Sequence, residues 1–191
     1  RTELLAGTAE LIPLERKGID TGMGLERLAM IVQGTNTIFE TDLFASFMEL
    51  LPPETVLRHK RIVIDHLRAS AFLLADGVMP SNKDRGYIVR RLMRRTFVYA
   101  YTYHIPAHVL DALIHDIVHE YGEWYPVLLK ENEMIREEFH KEKSGFGATV
   151  EKGMKELEKI EKMDGAKAFD LYQSYGLSPE ITFEIKPFFS Y

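Results

Sequence analysis

Asp20-Thr21-Gly22-Met23-Gly24-Leu25-Glu26-Arg27-Leu28-Ala29 is the stretch whose reading decides the fold. Two closely spaced glycines follow a short apolar run, and an acidic–basic pair then opens a segment of helical period. Gly22 and Gly24 lack the Cβ atoms that would keep a ligand off the backbone. The first N–H groups of the following helix have no intrahelical partner and point back at that loop, ready for an anion. Arg27, one turn in, can reach a phosphate as a planar, permanently charged fork. Taken alone, the run also fits a plain strand–turn–helix, because two glycines before a helix are common.

The totals bound the rest. A chain of 191 residues makes one large domain or two small ones and can bury a real core. Hydrophobic residues at 46% and charged residues at 28% are ordinary for a globular protein. No apolar run approaches the ~20 residues that span a bilayer, and no signal peptide is visible, so no membrane partner is expected. Zero cysteines exclude disulfide and thiolate chemistry and are compatible with a cytoplasmic location. The seven histidines read as scattered, without metal-ligand spacing, so no metal site is expected. A net charge of -5 argues against a surface that binds nucleic acid all over. Local charge differs: from Lys83 to Arg95 six basic residues face one acid, Asp84. The chain starts at Arg1 without a methionine, which reads as a piece of something longer.

Outward from the glycine pair, Leu11-Ile12-Pro13-Leu14 and Gly18-Ile19 read as strand edges. A helix is expected from Gly24 to Gln33, with Leu25, Leu28, Ala29 and Val32 on one face and Gly34 as its left-handed stop. Asn36 to Thr41 reads as a loop, with Thr41 or Asp42 capping a short helix over Leu43–Leu51 that Pro52-Pro53 ends. Arg58-His59-Lys60-Arg61 reads as a solvated basic cluster. Residues 61–76 give the clearest core helix, and Asp65–His66 reads as a capping and hydrogen-bonding pair rather than a catalytic one, having no nucleophile partner in sequence.

A turn-rich loop, 78–87, leads into Ile88-Val89-Arg90-Arg91-Leu92-Met93-Arg94-Arg95. Helical spacing puts the four arginines on one arc, and the reading sets Ile88, Val89, Leu92, Met93 and Phe97 opposite. Such a face is either simply solvated or built for a polyanion. Solvated faces usually mix in glutamate, and no acid lies between Arg85 and Arg95, so phosphate binding is favoured. Tyr99, Tyr101 and Tyr103 can stack on bases or serve as packing. An amphipathic helix is expected from Ala107 to Tyr121. Residues 127–162, rich in both charges, read as one or two solvent-facing helices with Glu151–Lys155 as an outside pair and a break at Ser144-Gly145-Phe146-Gly147. A helix around Ala168–Tyr172 should end at Gly176, and Ser178-Pro179-Glu180 should start another. Pro187-Phe188-Phe189-Ser190-Tyr191 reads as exposed aromatics.

The glycine–arginine run resembles the third signature motif of class II aminoacyl-tRNA synthetases, and in its longer form Ile19–Leu28 the alanyl-tRNA synthetase family. Residues 63–82, Arg85–Arg95 and Ala168–Leu177 are similar to that family in the same order, which is more specific than any single block. The resemblance implies a mainly α chain: residues 1–35 as a small β remnant and helix from the end of the class II antiparallel sheet, and residues 36–191 as a helical, bundle-like domain that recognises the tRNA acceptor stem, chiefly a G·U wobble pair.

It also implies roles. Asp20 would meet the ammonium of alanine. Gly22 and Gly24 would let alanine and ATP lie against the backbone, and Arg27 would be catalytic, holding ATP phosphates and offsetting charge during adenylation. Asn82 would touch the wobble pair from the minor groove. Arg85, Arg90, Arg91, Arg94 and Arg95 would supply phosphate contacts. Where the family carries an aspartate that meets the wobble guanine, this chain has Gln173. A glutamine carbonyl accepts without charge assistance and its amide also donates, so the contact is kept with looser choice, or recognition is altered.

The first two class II motifs and any editing-domain zinc constellation are not found in these residues. The expected function is therefore part of an alanine–tRNA ligase using ATP with Mg in the whole enzyme, this piece mainly recognising the acceptor stem of tRNA(Ala) and being inactive and cofactor-free alone. The alternatives are a stand-alone tRNA-binding module and a helical domain whose arginines meet an acidic protein. The sequence leaves the oligomeric state open.

Overall fold

The computed structural model describes Thr2–Leu4, Leu11–Pro13 and residues 15–186, and it is mainly helical. The chain falls into two compact units, Arg1–Ala45 and Ser46–Tyr191. The expected aromatic end, 187–191, lies outside the described residues, as does Leu14.

In the first unit, β1 (Thr2–Leu4) pairs antiparallel with β2 (Leu11–Pro13), Glu3 opposite Ile12. Gly18-Ile19, expected at a strand edge, forms no strand, and Ile19 is exposed. Helix α1 (Leu25–Gln33) ends as the sequence predicts: Gly34 takes φ 65° and the chain closes back with Gly34 N–H to Ile31 O at 3.3 Å and Thr35 N–H to Met30 O at 3.1 Å. Its apolar face is uncovered, with Leu25, Leu28 and Val32 exposed and none of its residues buried. The expected loop after it contains a tight helical turn, Ile38–Glu40, closed by Asn36 N–H on Glu40 Oε2 at 3.1 Å. Thr41 starts the next helix with its carbonyl, not its side chain. The hydroxyl donates backward to Ile38 O at 2.6 Å, and α2, all but its first residue in the second unit, runs only over Ala45–Leu50.

The second unit is built on α3 (Leu57–Ala75), α4 (Asp84–Thr102), α5 (Ala107–Gly122), α6 (Pro126–Lys130), α7 (Asn132–Lys159), α8 (Gly165–Tyr175) and α9 (Pro179–Ile185). Helix α4 lies at its centre, packed between α3 and α7. Val63, Ile64, Leu67 and Leu74 of α3 are buried, as are Val89, Met93, Phe97 and Tyr99 of α4 and Ile135, Phe139 and Phe146 of α7. Burying a side chain of that size stabilises by about 1.5–3 kcal/mol relative to exposure.

Three expectations give way to packing. Helix α3 begins at Leu57, so Arg58-His59-Lys60-Arg61 forms its first two turns and is not simply solvated: Lys60 Nζ donates to Leu51 O at 2.9 Å. Asp65–His66 does form the expected hydrogen bond, Asp65 Oδ2 with His66 Nδ1 at 3.4 Å, but it lies mid-helix and caps nothing. Residues 144–147 do not break α7, and the helix does not simply face solvent. Gly145 and Gly147 cost about 1 kcal/mol each in a helix, and Phe146 between them is buried and holds the turn in place. The late turns follow the sequence: Gly176 closes α8 at φ 66°, and Ser178 caps α9 through its hydroxyl, with Pro179 first.

The entry to α4 is strained and tight. Asp84 takes φ 50°, a left-handed conformation that L side chains disfavour. At Gly86 an added Cβ would lie 2.3 Å from Met79 O and 2.4 Å from Ser81 Oγ. Ser81 N–H donates to Gly86 O at 3.0 Å, so loop and helix hold each other at glycine-only distance. Gly86→Ala should destabilise the chain by about 1–3 kcal/mol in urea denaturation, the cost of overpacking. An unchanged midpoint would show that the loop gives way freely.

Candidate functional site

Arg90, Arg91, Arg94 and Arg95 project from one side of α4 as the spacing predicts, with Val89, Met93 and Phe97 buried on the other. Ile88, set by the sequence reading on the core side, is exposed. It stands three and seven residues before Arg91 and Arg95 and so shares their side of the helix. The arginines do not wait for an external anion to relieve their repulsion. Glu142 of α7 takes Arg94 Nε at 2.8 Å and Arg90 Nε at 3.2 Å. Glu180 of α9 takes Arg91 at 3.0 Å, and Glu184, also on α9, takes Arg95 at 2.7 Å and Arg58 at 2.9 Å. Arg94 lies over the Phe146 ring, 4.5 Å from its centre.

These pairs differ in depth. The Glu142 and Glu184 side chains are 11% and 9% exposed, whereas Arg91 and Glu180 are 45% and 57% exposed. The Tyr99 hydroxyl also donates to Glu184. His59 stacks on Tyr99 with ring centres 4.4 Å apart and meets the Tyr103 hydroxyl at 2.6 Å. Both tyrosines therefore serve packing and hydrogen bonding. Burial holds the His59 imidazole below its ordinary pKa, Arg58 and Arg95 push the same way, and Glu184 opposes them. The Glu180 carboxyl is held below its usual range first by the Ser178 hydroxyl and then, more weakly, by Arg91 and Arg95.

Asn82, Arg90, Arg91, Arg94, Arg95 and Gln173 line one cavity of about 510 Å³, so the structure gathers six of the sequence-selected residues in one place. Arg85 is the exception: it is exposed in the first turn of α4 and does not line the cavity. Asn82 stands on the loop before α4, where its Oδ1 accepts from Arg90 at 2.5 Å. A guanidinium only donates, so this contact leaves the Asn82 amide nitrogen for an outside acceptor. Gln173, on α8, is exposed and can offer either a carbonyl or an amide. Tyr87 and Tyr172, both partly exposed, add aromatic surface at the same cavity.

In the first unit, Asp20, Gly22, Gly24 and Arg27 are all exposed. Gly24 caps α1 with an extended backbone, φ -66° and ψ 121°. Neither Gly22 nor Gly24 adopts a left-handed conformation. A Cβ at Gly22 would meet open space, and one at Gly24 only the Arg27 side chain at 3.8 Å. The packing of this unit thus gives no reason for glycine at either position.

Sequence reasoning overlooked Glu142 and Glu184, and it placed Glu180 only in the first turn of a helix. The signal was present: Glu142 follows Phe139 by three residues and precedes Phe146 by four, and Glu184 follows Ile181 by three, so each stands near a buried helical seam. The reading of the histidines also needs correction. His115 and His119 stand four apart on α5 with ring centres 4.1 Å apart, a spacing metals use, although His115 Nδ1 meets Asp116 at 3.2 Å. Among the described residues, no group of three or more metal-ligating side chains is placed to hold an ion, and no helix is long and apolar enough to cross a membrane.

Glu184→Ala should cost roughly 3 kcal/mol in urea denaturation, because it strands the partly buried Arg95 charge. Arg91→Ala, at an exposed pair, should cost under about 1 kcal/mol; equal losses would refute this division. For His59, the folded pKa lies below the unfolded one, so its contribution is full above the ordinary imidazole value and is lost as pH falls from there through the lower folded value. Between neutral pH and pH of about 5 the wild type should therefore lose more stability than His59→Gln, measured by denaturation at each pH.

The profile of the family described as tRNA synthetases class II (A) matches residues 6–187. Similar curated proteins are each described as an alanine–tRNA ligase. That of Rhodopseudomonas palustris is 40% identical over 187 residues, covering 91% of this chain and 21% of that protein. That of Bradyrhizobium diazoefficiens gives the same figures, 40% identity with 91% and 21% coverage. That of Rhizobium johnstonii is 38% identical, covering 89% of this chain and 21% of that protein. The chain thus spans about a fifth of the length of these relatives. The match runs through the Gly22–Gly24 loop, the arginine helix and Gln173 alike, and the chain belongs to the class II (A) tRNA synthetase family.

Proposed function

We propose that this chain is part of an alanine–tRNA ligase and that its helical unit recognises the acceptor stem of tRNA(Ala). The observation that carries the reading is the convergence of Asn82, four arginines and Gln173 on one cavity. Asn82 presents donors, which suit a pyrimidine O2 or a ribose 2′-hydroxyl in the shallow minor groove of RNA. Gln173 supplies the acceptor that the free amino group of a wobble guanine needs, through a neutral carbonyl where the family's aspartate would carry a charge. Arg91 and Arg85, the more exposed cations, suit the phosphate backbone on either side.

Residues 1–35 are proposed as the end of the catalytic core, with β1, β2 and α1 belonging to the class II sheet of the whole enzyme. Two features support this: the uncovered apolar face of α1 and a glycine pair that the local packing does not require. The residues fit the phosphate part of ATP, because Arg27 is exposed one turn into α1 and the Cβ positions of the loop are open. In the whole enzyme Arg27 would hold those phosphates, Asp20 the ammonium of alanine, and the bound ATP with Mg would supply the leaving pyrophosphate. The related ligases act on alanine and its tRNA, and those are the substrates proposed here.

The test is binding of the 191-residue chain to acceptor-stem minihelices carrying G·U or G·C, at two salt concentrations. A preference for G·U is expected, with affinity falling steeply as salt rises. Asn82→Ala should reduce that preference about fivefold, the equivalent of one neutral hydrogen bond of about 1 kcal/mol. Equal binding to both helices and to heparin would replace this reading with a general polyanion face.

A further inference from the structure

We infer that Glu142 is a positioning residue for base choice: it holds Arg90 as a strut that fixes the Asn82 amide, and so keeps Arg90 and Arg94 from acting as free phosphate cations. This inference rests on the acceptor-stem reading above.

Every nitrogen of the Arg90 side chain is engaged within the chain. Nε donates to Glu142 at 3.2 Å, one terminal nitrogen to Asn82 Oδ1 at 2.5 Å, and the other to Pro80 O at 3.4 Å. Arg90 therefore braces the loop from both ends of its fork. Arg94 shares the same carboxylate at 2.8 Å and rests on Phe146, so its guanidinium is fixed from two sides. Glu142 is the anchor common to both, and its side chain is only 11% exposed, where solvent screens the pairing weakly. The Asn82 loop is separately held by Ser81, whose hydroxyl donates to Lys83 O at 2.7 Å. What Arg90 adds is the sense of the amide, carbonyl inward and donors outward.

Removing the Glu142 charge has two consequences of opposite sign. Arg90 and Arg94 lose their shared partner, repel each other, and become available to phosphate, so affinity for any stem rises. The Asn82 amide loses its brace and can present either edge, so the choice between G·U and G·C falls. A purely structural role would lower binding to both stems together. Glu180 provides the contrast. Its partner is Arg91, whereas the arginine that hydrogen-bonds Asn82 is Arg90, so neutralising Glu180 should raise affinity for both stems and leave their ratio alone.

The experiment measures dissociation constants of wild type, Glu142→Gln, Arg90→Lys and Glu180→Gln for the G·U and G·C minihelices at one salt concentration, with a melting curve for each protein. Glu142→Gln is expected to bind the G·C stem a few-fold more tightly while its G·U preference falls toward unity. Arg90→Lys keeps the charge but not the fork, and should keep G·C affinity while losing preference. Weaker binding of Glu142→Gln to both stems by one factor, with the preference intact, overturns the inference. Should Glu142→Gln fail to fold, Arg90→Lys decides: a preference retained there overturns the inference. A wild type with no G·U preference overturns the acceptor-stem reading itself, and this inference with it, whereas a wild-type preference that survives both variants overturns only the inference.

Discussion

Charge balance along α4 is the constraint on which the helical unit depends. Four arginines crowd one side of a helix whose other side is core. Unrelieved, they would repel across a partly desolvated surface, where an unpaired charge costs several kcal/mol. Glu142, Glu180 and Glu184 relieve them, and these three come from the two helices that must be brought against α4, α7 and α9. Helix α7 is thereby tied to α4 by ion pairs as well as by packing, and α9 is tied to it by ion pairs. Arg58 joins the same network from the first turn of α3, where a cation is disfavoured by the helix dipole and Glu184 compensates it.

The same balance sorts the arginines by what each is able to do. Arg95 is tied to Glu184 beside Tyr99 and belongs to the fold. Arg90 and Arg94 share one carboxylate and act as supports. Arg91, in an exposed pair, exchanges most readily with an outside anion, because its present partner is held weakly against water. Counting basic residues along the helix overstates its free positive charge, and the net charge of -5 understates what Asn82 and Gln173 have around them. The cavity is assembled from three stretches far apart in sequence: α4 with the loop before it, the middle of α7, and the α8–α9 corner.

The first unit shows the opposite condition. Helix α1 has a clear amphipathic pattern and a well-formed glycine stop, yet among the described residues Leu25, Leu28 and Val32 of its apolar face stay exposed. Local sequence suffices to form the helix and close it, since both depend on backbone conformation and helical period. What such a face packs against is a matter of layers, and no local pattern states it.

Sequence alone determined the helix that runs to Gln33, its left-handed end at Gly34, the Ser178-Pro179 start of α9 and the single-sided run of arginines on α4. Each follows from dihedral preference, capping chemistry or helical period, which act over one or two turns. Tertiary structure alone decided that α7 passes through Gly145 and Gly147 unbroken, that Ile88 faces outward, that the basic cluster at Arg58–Arg61 lies within α3, and that the arginines are already neutralised. Those outcomes depend on which helices meet. The burial of Phe146 outweighs the cost of two helical glycines, and a carboxylate more than forty residues away in sequence reaches Arg90 and Arg94 only because α7 folds onto α4.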